Sequence, residues 1–503
     1  MRTSVNCHSE RSEESLFHFR LSIADCRLLL RVAILVLFVV SLATAQAPPQ
    51  AQPPPSKPNV TLQPPQQPGT KPTPPAQATP EHRITPEEAQ ELLNAVDEVL
   101  KFDSADTGLR IKHQIKRQLA DREQVQTYIE ARLKEDEDTQ RLRRSEVVLK
   151  KLGLLPRDFD LQTFLVELLR EQVAGYYDTK SKTVYLLDWL PPASQLPVMA
   201  HELTHALQDQ NFGLEKWIEK GTSEKTPTEE ARGDEEIAAR HAVVEGQAMA
   251  VMIDYLLAPT GNSVANSPTI TQAIQQGMME SDDSPVFNRA PLFLKRVLLF
   301  PYREGLNFER ELLVKGGKDK AYAGVFKSPP QNTRQVMEPA TYLAGENLPQ
   351  MPVPDIAKLL GKDWEKYDVG SIGEFDVAVM AEIYSGADVA KKISPQWRGG
   401  WYYAVKRKNG GELALVMVTK WANGIAANDF YGLYGGYVPK RYQTLPAPLP
   451  APPVLSGPAP RAAELWNTAE GPVEIRLSGD IVITIESVPA EIVEKVRQAV
   501  LGK

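Results

Sequence analysis

From Arg83 to Leu169, apolar residues recur every three or four positions between charged ones, a period that predicts amphipathic helices. The first begins at "RITPEEAQELL", where Thr85 and Glu88 have capping-box spacing and Pro86 takes the first helical position. At "GYYDTKSKTVYLLD" the period changes. Tyr176–Asp178 and Thr183–Leu187 are aromatic and β-branched around a polar turn, which predicts a hairpin. Next, "PPASQLPVMAHELTHALQDQ" reads as a helix with Ser194 as its cap and Pro197 in its first turn. A polar stretch from Asn211 to Arg232 leads into a second long helix ending at Leu257, and helical patterns return over 269–345.

The pattern changes again after about residue 350. "WYYAVKRKNGGELALVMVTKW" predicts a hairpin around Asn409-Gly410-Gly411, "VEIRLSGDIVITIES" a second, and "PAEIVEKVRQAVL" a closing helix. The fold class expected is α+β. A mainly helical part with one small hairpin spans 83–345, and a smaller α+β domain spans 350–503, with a proline-rich surface loop at 446–461.

The amino-terminal residues read differently. "VAILVLFVVSLATA", Val32 to Ala45, is preceded by Arg27 and Arg31 and ends on small residues, as a cleaved export signal does, so residues 1–45 are expected to be a signal peptide. The alternative is a retained amino-terminal anchor. The preface at 1–26 is long for a leader and suggests a true start nearer Arg27. Residues 46–82 form a linker: thirteen prolines lie between Gln46 and Pro80, with almost no charge. Both cysteines, Cys7 and Cys26, precede the expected cleavage point, so the exported chain would hold no disulfide. A net charge of −7 gives no sign of nucleic-acid binding, and membrane contact is expected only if the leader is retained.

The chemistry gathers on the "HELTH" helix. With His201 at zero and about 100° per residue, His205 falls near 40°, Asp209 near 80°, Glu202 near 100° and Gln208 near 340°. Leu196, Met199, Ala200, Leu203, Ala206 and Leu207 occupy the opposite side. Two histidines one turn apart can direct ring nitrogens at one Zn²⁺, and the intervening glutamate can reach a water there as general base. The segment Val198–Gln210 carries no lysine or arginine, which fits a face turned towards a cation. In the second helix, Glu245 sits in a stripe of Ala238, Ala242, Met249 and Met252, so it is a candidate third ligand, with His241 as the alternative. Gly246 beside it would let the two helices approach closely.

"HELTH", followed about forty residues later by a helical Glu-Gly, resembles the thermolysin-like gluzincin metallopeptidases over about residues 170–257. "PPQNTRQVMEPATYL" is similar to a segment of uncharacterised bacterial proteins with the same zinc motif. The resemblance implies a zincin-like domain, with His201, His205 and Glu245 as zinc ligands and Glu202 as base. It also implies that the hairpin before the helix supplies an edge strand for an extended peptide substrate. The chain departs from that pattern in two places. No histidine follows His241 to stabilise an oxyanion, which leaves Tyr302 and Arg303 in "FPYREG" as candidates. The acid expected one turn after the third ligand is Met249, so Asp209 is a candidate to orient His205 instead. The function expected is an exported zinc-dependent peptidase acting on protein or peptide. The alternatives are a scaffold stabilised by zinc without catalysis, or a partner-binding carboxy-terminal module with Trp397, Trp401 and Tyr402 at its surface.

Overall fold

The computed structural model describes residues 83–133, 136–219, 226–277, 284–411, 413–442 and 463–502. The expected leader, linker and 446–461 loop lie outside them.

Helix α1 (Pro86–Thr107) opens on the expected capping box: the Glu88 N–H donates to Thr85 Oγ1 at 3.2 Å, and the Thr85 N–H to Glu88 Oε2 at 2.7 Å. The predicted hairpin forms as β2 (Tyr176–Asp178) and β3 (Thr183–Leu187), paired antiparallel. On the far side of β3 lies β1 (Lys116–Ala120), parallel to it, so the sheet order is β1-β3-β2. Sequence pattern missed β1 because "KRQLA" opens on three charged or polar residues, with no alternation of apolar positions to read.

Helix α2 (Pro192–Phe212) carries "HELTH". Its cap differs from the expected one. Pro191 takes the cap position, and Ser194 lies inside the first turn, donating its hydroxyl to the Pro191 carbonyl at 2.8 Å. The join from β3 is held by Gln195, whose amide accepts from the Leu187 N–H and donates to the Leu187 and Leu190 carbonyls at 2.7–2.8 Å. Met199, Ala200, Leu203, Ala206 and Leu207 pack with Val96 and Leu100 of α1 and with Val184 and Leu186 of β3. The apolar side of the helix is therefore committed to the core, and the histidine side turns to the next helix.

That helix, α3 (Pro227–Leu257), starts earlier than its apolar pattern suggested, because Thr226 caps it by accepting the Glu229 N–H at 3.3 Å. It is long and apolar enough to cross a membrane, yet its apolar window is 72% buried within the fold. It is a core helix. Helix α4 (Leu292–Asp319) packs along it. Where the two cross, a Cβ on Gly246 would stand 2.2 Å from the Gly305 carbonyl oxygen, and one on Gly305 2.2 Å from that of Ala242. Gly246 thus permits a close approach to α4, whereas the sequence suggested an approach to α2.

The carboxy-terminal part holds a six-stranded antiparallel sheet: β4 (Trp364–Ser371), β5 (Trp397–Arg407), β6 (Ala414–Trp421), β7 (Ala463–Thr468), β8 (Gly471–Ser478) and β9 (Ile481–Glu486), in the order β4-β5-β6-β9-β8-β7. The expected hairpins are β5–β6 and β8–β9, and the expected closing helix forms over Ala490–Val500. One face, with Trp401, Tyr403, Val416 and Ile483, is covered by α7 (Ala490–Val500) and by Ile356–Leu360. On the other face Tyr402, Leu415, Met417 and Ile475 join the main core with residues of α5 (Glu374–Ser385) and α6 (Gly424–Arg441). Trp397, Trp401 and Tyr402 are buried at 3%, 1% and 0% exposure, so they form core rather than a docking surface.

The main apolar cluster runs continuously from Ala120 to Val482, across the expected boundary near 345–350. Polar contacts cross that boundary too. Arg334 pairs with Glu346 and Glu374, both at 2.9 Å, and Lys151 with Glu470 at 3.0 Å.

Candidate metal centre

Helix α2 sets His201 and His205 one turn apart, and α3 brings Glu245 against them. The Nε2 atoms of the two histidines lie 3.0 Å from each other, and Glu245 Oε2 lies 3.2 Å from His201 Nε2 and 3.3 Å from His205 Nε2. Among the described residues this is the group of histidines and acids whose donor atoms converge closely enough to hold a metal ion. His201 and Glu245 are 2% and 7% exposed.

The electrostatics ask for a positive charge at this point. Burial opposes a charge on His205, yet the Glu245 and Glu202 carboxylates raise its pKa to about 9. Burial likewise opposes the Glu245 carboxylate, but the two imidazoles hold it well below the ordinary range. A proton satisfies this demand, and so would a metal ion, since ligand binding and protonation compete for the same lone pairs.

His205 is held in a tautomer that suits a ligand. Its Nδ1 lies 3.0 Å from Gln208 Oε1, so an Nδ1–H donates there and leaves Nε2 with a lone pair. Gln208 in turn donates to the Val244 carbonyl at 3.1 Å and to Gln247 Oε1 at 2.9 Å, and Gln247 donates to the Ala321 and Tyr322 carbonyls at 2.8 and 3.2 Å. Asp209, the candidate suggested by sequence, does something else. It accepts from the Tyr177 hydroxyl at 2.9 Å, Lys182 Nζ at 2.6 Å and the Leu214 N–H at 3.2 Å, fastening the β2–β3 hairpin to α2. Nδ1 of His201 is buried with no hydrogen-bond partner, so packing and the Nε2 contacts with Glu245 and His205 orient that ring.

Glu202 lies beside the group, 8% exposed, with Oε2 accepting the Tyr177 backbone N–H at 2.7 Å. β2 is an edge strand, and its outer edge faces Glu202. Tyr302 comes from α4, one turn before the Gly246–Gly305 crossing. It is 3% exposed, its ring centroid is 6.2 Å from that of His201, and its hydroxyl hydrogen-bonds Glu245. Burial and the Glu245 and Glu202 carboxylates push its pKa well above the ordinary value, which keeps the hydroxyl a donor. Arg303, the other candidate, pairs with Glu304 at 2.8 Å on a part-exposed surface.

His241 is separate from the group. It lines a small apolar cavity with Ala238, Val297, Phe300, Pro301, Thr333 and Phe375, towards α4 and α5. Sequence reading missed Gln208, Gln247, Gly305 and the Tyr177 N–H. Gln208 alone had a signal, because it falls on the same side of the α2 wheel as the two histidines.

No protein-family model matches this chain, and no curated protein or solved structure matches it either.

Proposed function

We propose that the chain is a zinc-dependent peptidase in which His201, His205 and Glu245 hold the metal and Glu202 is the general base. The observation that carries the reading is the spacing of the three donor atoms, 3.0, 3.2 and 3.3 Å. Ligand atoms about 2.05 Å from a tetrahedral Zn²⁺ stand about 3.3 Å apart, so the donors fit that ion with little movement. Two imidazoles and one carboxylate leave a fourth position open, as catalytic zinc sites do and closed structural sites do not.

A bound Zn²⁺ would lower the pKa of a water and polarise a substrate carbonyl. The remaining work falls to the protein. Glu202, fixed by the Tyr177 N–H, takes the proton of the attacking water and passes it to the leaving amine. Tyr302, kept protonated, donates to the oxygen that gains charge during attack. The outer edge of β2 runs alongside Glu202, and an extended peptide would lie there by strand addition through the edge groups that Glu202 leaves open. The resemblance to gluzincins rests on the same residues, "HELTH" and Glu245-Gly246. Export rests on the apolar run at 32–45 and the proline-rich linker after it.

Cleavage of a generic casein substrate tests this directly. Activity should be lost to a chelator and restored by zinc. Glu202→Gln should keep the zinc and lose about 10²-fold or more in turnover, because the amide keeps the shape but takes no proton. A zinc-loaded chain without hydrolysis would leave the scaffold reading. Retention of more than about a tenth of turnover in the variant would remove Glu202 from the role of base.

A further inference from the structure

At the seam between the helical part and the six-stranded sheet lies a cavity of about 390 Å³ that the peptidase reading does not use. That is the lower end of the range for small-molecule sites, ~300–1,000 Å³. One face of α3, with Arg232 and Glu235, forms one wall, and β5 from Trp397 to Trp401 forms another. The segment "PPQNTRQVMEPATYL", for which the metal centre has no use, supplies Gln331 and Asn332. Leu348 and Met351 add apolar surface. Glu235 is ten residues before Glu245, about 15 Å along the helix, so the cavity is separate from the metal group.

Two charged groups lining this cavity have no opposite partner among the described residues. Arg398 donates from Nη1 to the Pro395 and Trp397 carbonyls at 2.9 and 2.6 Å and meets no carboxylate. The acids in its field are already taken, since Arg334 holds Glu346 and Glu374, both at 2.9 Å. Burial and the Arg334 charge lower the Arg398 pKa. Glu235, 6% exposed, meets no cation. Its Oε2 accepts from Thr333, while Oε1 makes no well-formed hydrogen bond, although the Ser371 hydroxyl stands near the carboxyl. Burial accordingly pushes its pKa up to about 7. Glu236, which also lines the cavity, is by contrast paired with Arg232 at 3.2 Å and Arg240 at 3.3 Å. The Trp401 indole N–H, on a side chain 1% exposed, is a further buried donor without a partner. Buried polar groups are nearly always paired, so these vacancies around one cavity require a reason.

We propose that the cavity binds a small zwitterion, a short peptide or a free amino acid, with Glu235 receiving its ammonium and Arg398 its carboxylate. Glu235 and Arg398 line the same space but do not pair with each other, so each calls for its own counter-charge. A ligand carrying both would offset the cost of leaving a carboxylate and a guanidinium without counter-ions. The Trp401 N–H is a donor for a ligand oxygen, and Leu348 and Met351 offer contact to an apolar side chain. The assignment does not rest on the peptidase reading, although short peptides are what such an enzyme releases.

The test is calorimetric titration of the full, zinc-loaded chain carrying Glu202→Gln, so that no hydrolysis of the probe enters the heat. The probes are alanyl-leucine, its amino-acetylated form, its carboxamide, and free leucine. One equivalent of alanyl-leucine or leucine is expected to bind, and blocking either end should weaken alanyl-leucine about tenfold or more, the worth of a charge-assisted bond. Tighter binding of the dipeptide would identify a peptide as the occupant, and tighter binding of leucine an amino acid. Adding Arg398→Gln should weaken the unblocked probes and abolish the difference between carboxylate and carboxamide, while the penalty for acetylation remains. Adding Glu235→Gln should do the reverse. A merely structural role would not produce that crossed pattern. Arg398, part-exposed, decides the matter alone if the Glu235 variant fails to fold. The proposal is overturned if neither unblocked probe binds below about 10 mM, or if Arg398→Gln leaves the carboxamide penalty intact. Failure of the peptidase reading would show separately, in the zinc count and in casein cleavage.

Discussion

Tyr302 shows how much one residue's surroundings add to its identity. "FPYREG" offered a tyrosine and an arginine for the same task, and about 100° of helix rotation separates them. The structure turns Tyr302 to Glu245 and leaves Arg303 on Glu304. Tyr302→Phe keeps the ring beside His201 and removes the donor. It should leave zinc content and KM nearly unchanged while lowering kcat by about 10²-fold, a loss typical of one missing oxyanion donor. A kcat within about twofold of wild type would show that the hydroxyl takes no part. The histidines and Glu202 were legible because a single helix fixes their mutual geometry. Asp209 was misread because its partners, Tyr177 and Lys182, arrive on a hairpin that no helical wheel contains.

The metal group depends on helix crossings as much as on ligands. Glu245 and Tyr302 meet because α3 and α4 approach through Gly246 and Gly305. Gly305→Ala would put a methyl 2.2 Å from the Ala242 carbonyl oxygen, a backbone atom that cannot rotate away. The helices must then separate, at a cost of about 1–3 kcal/mol for overpacking. The variant should melt several degrees lower and release zinc faster under chelator challenge. An unchanged midpoint would mean the crossing is looser than described. The glycine in α4 could not be assigned from sequence, since nothing local says which helix crosses there. Element identity was more legible than element edges. The hairpins β2–β3, β5–β6 and β8–β9 follow their alternating patterns, whereas β1, β4 and β7 gain their partners only through the sheet. Likewise α3 begins at a threonine cap that its apolar period does not mark.

Across the whole molecule, the expected two-part division is bridged by buried polar groups as well as by the continuous core. Glu235 of α3 accepts from Thr333 N–H and Oγ1, both at 2.9 Å, Thr333 Oγ1 accepts the Phe375 N–H of α5 at 3.3 Å across the division, and Asp376 of α5 accepts the Gly373 N–H at 2.8 Å. Burial pushes Glu235 up to about 7, outweighing the Thr333 hydrogen bonds, and burial with the Glu235 charge raises Asp376. The folded chain thus holds the Glu235 proton more tightly than the unfolded chain, whose glutamates titrate near 4.3. The resulting stability is fully present below that value and is lost as pH rises through about 7. Glu235→Gln cannot ionise, so its midpoint should gain on the wild type between pH 5 and pH 8. The full difference would be on the order of 3 kcal/mol. A constant offset over that range would show that Glu235 does not titrate with folding. The seam itself was not legible in the sequence, where the change of pattern after about residue 350 reads as a boundary.

The central claim is that His201, His205 and Glu245 hold a catalytic zinc. Bound zinc per chain, measured by elemental analysis after mild chelator challenge, tests it in Glu245→Ala and His241→Ala beside the wild type. The account predicts one zinc in the wild type and in His241→Ala, and loss of it in Glu245→Ala. Zinc retained by Glu245→Ala and lost from His241→Ala would contradict the account and place the third ligand one turn earlier on α3.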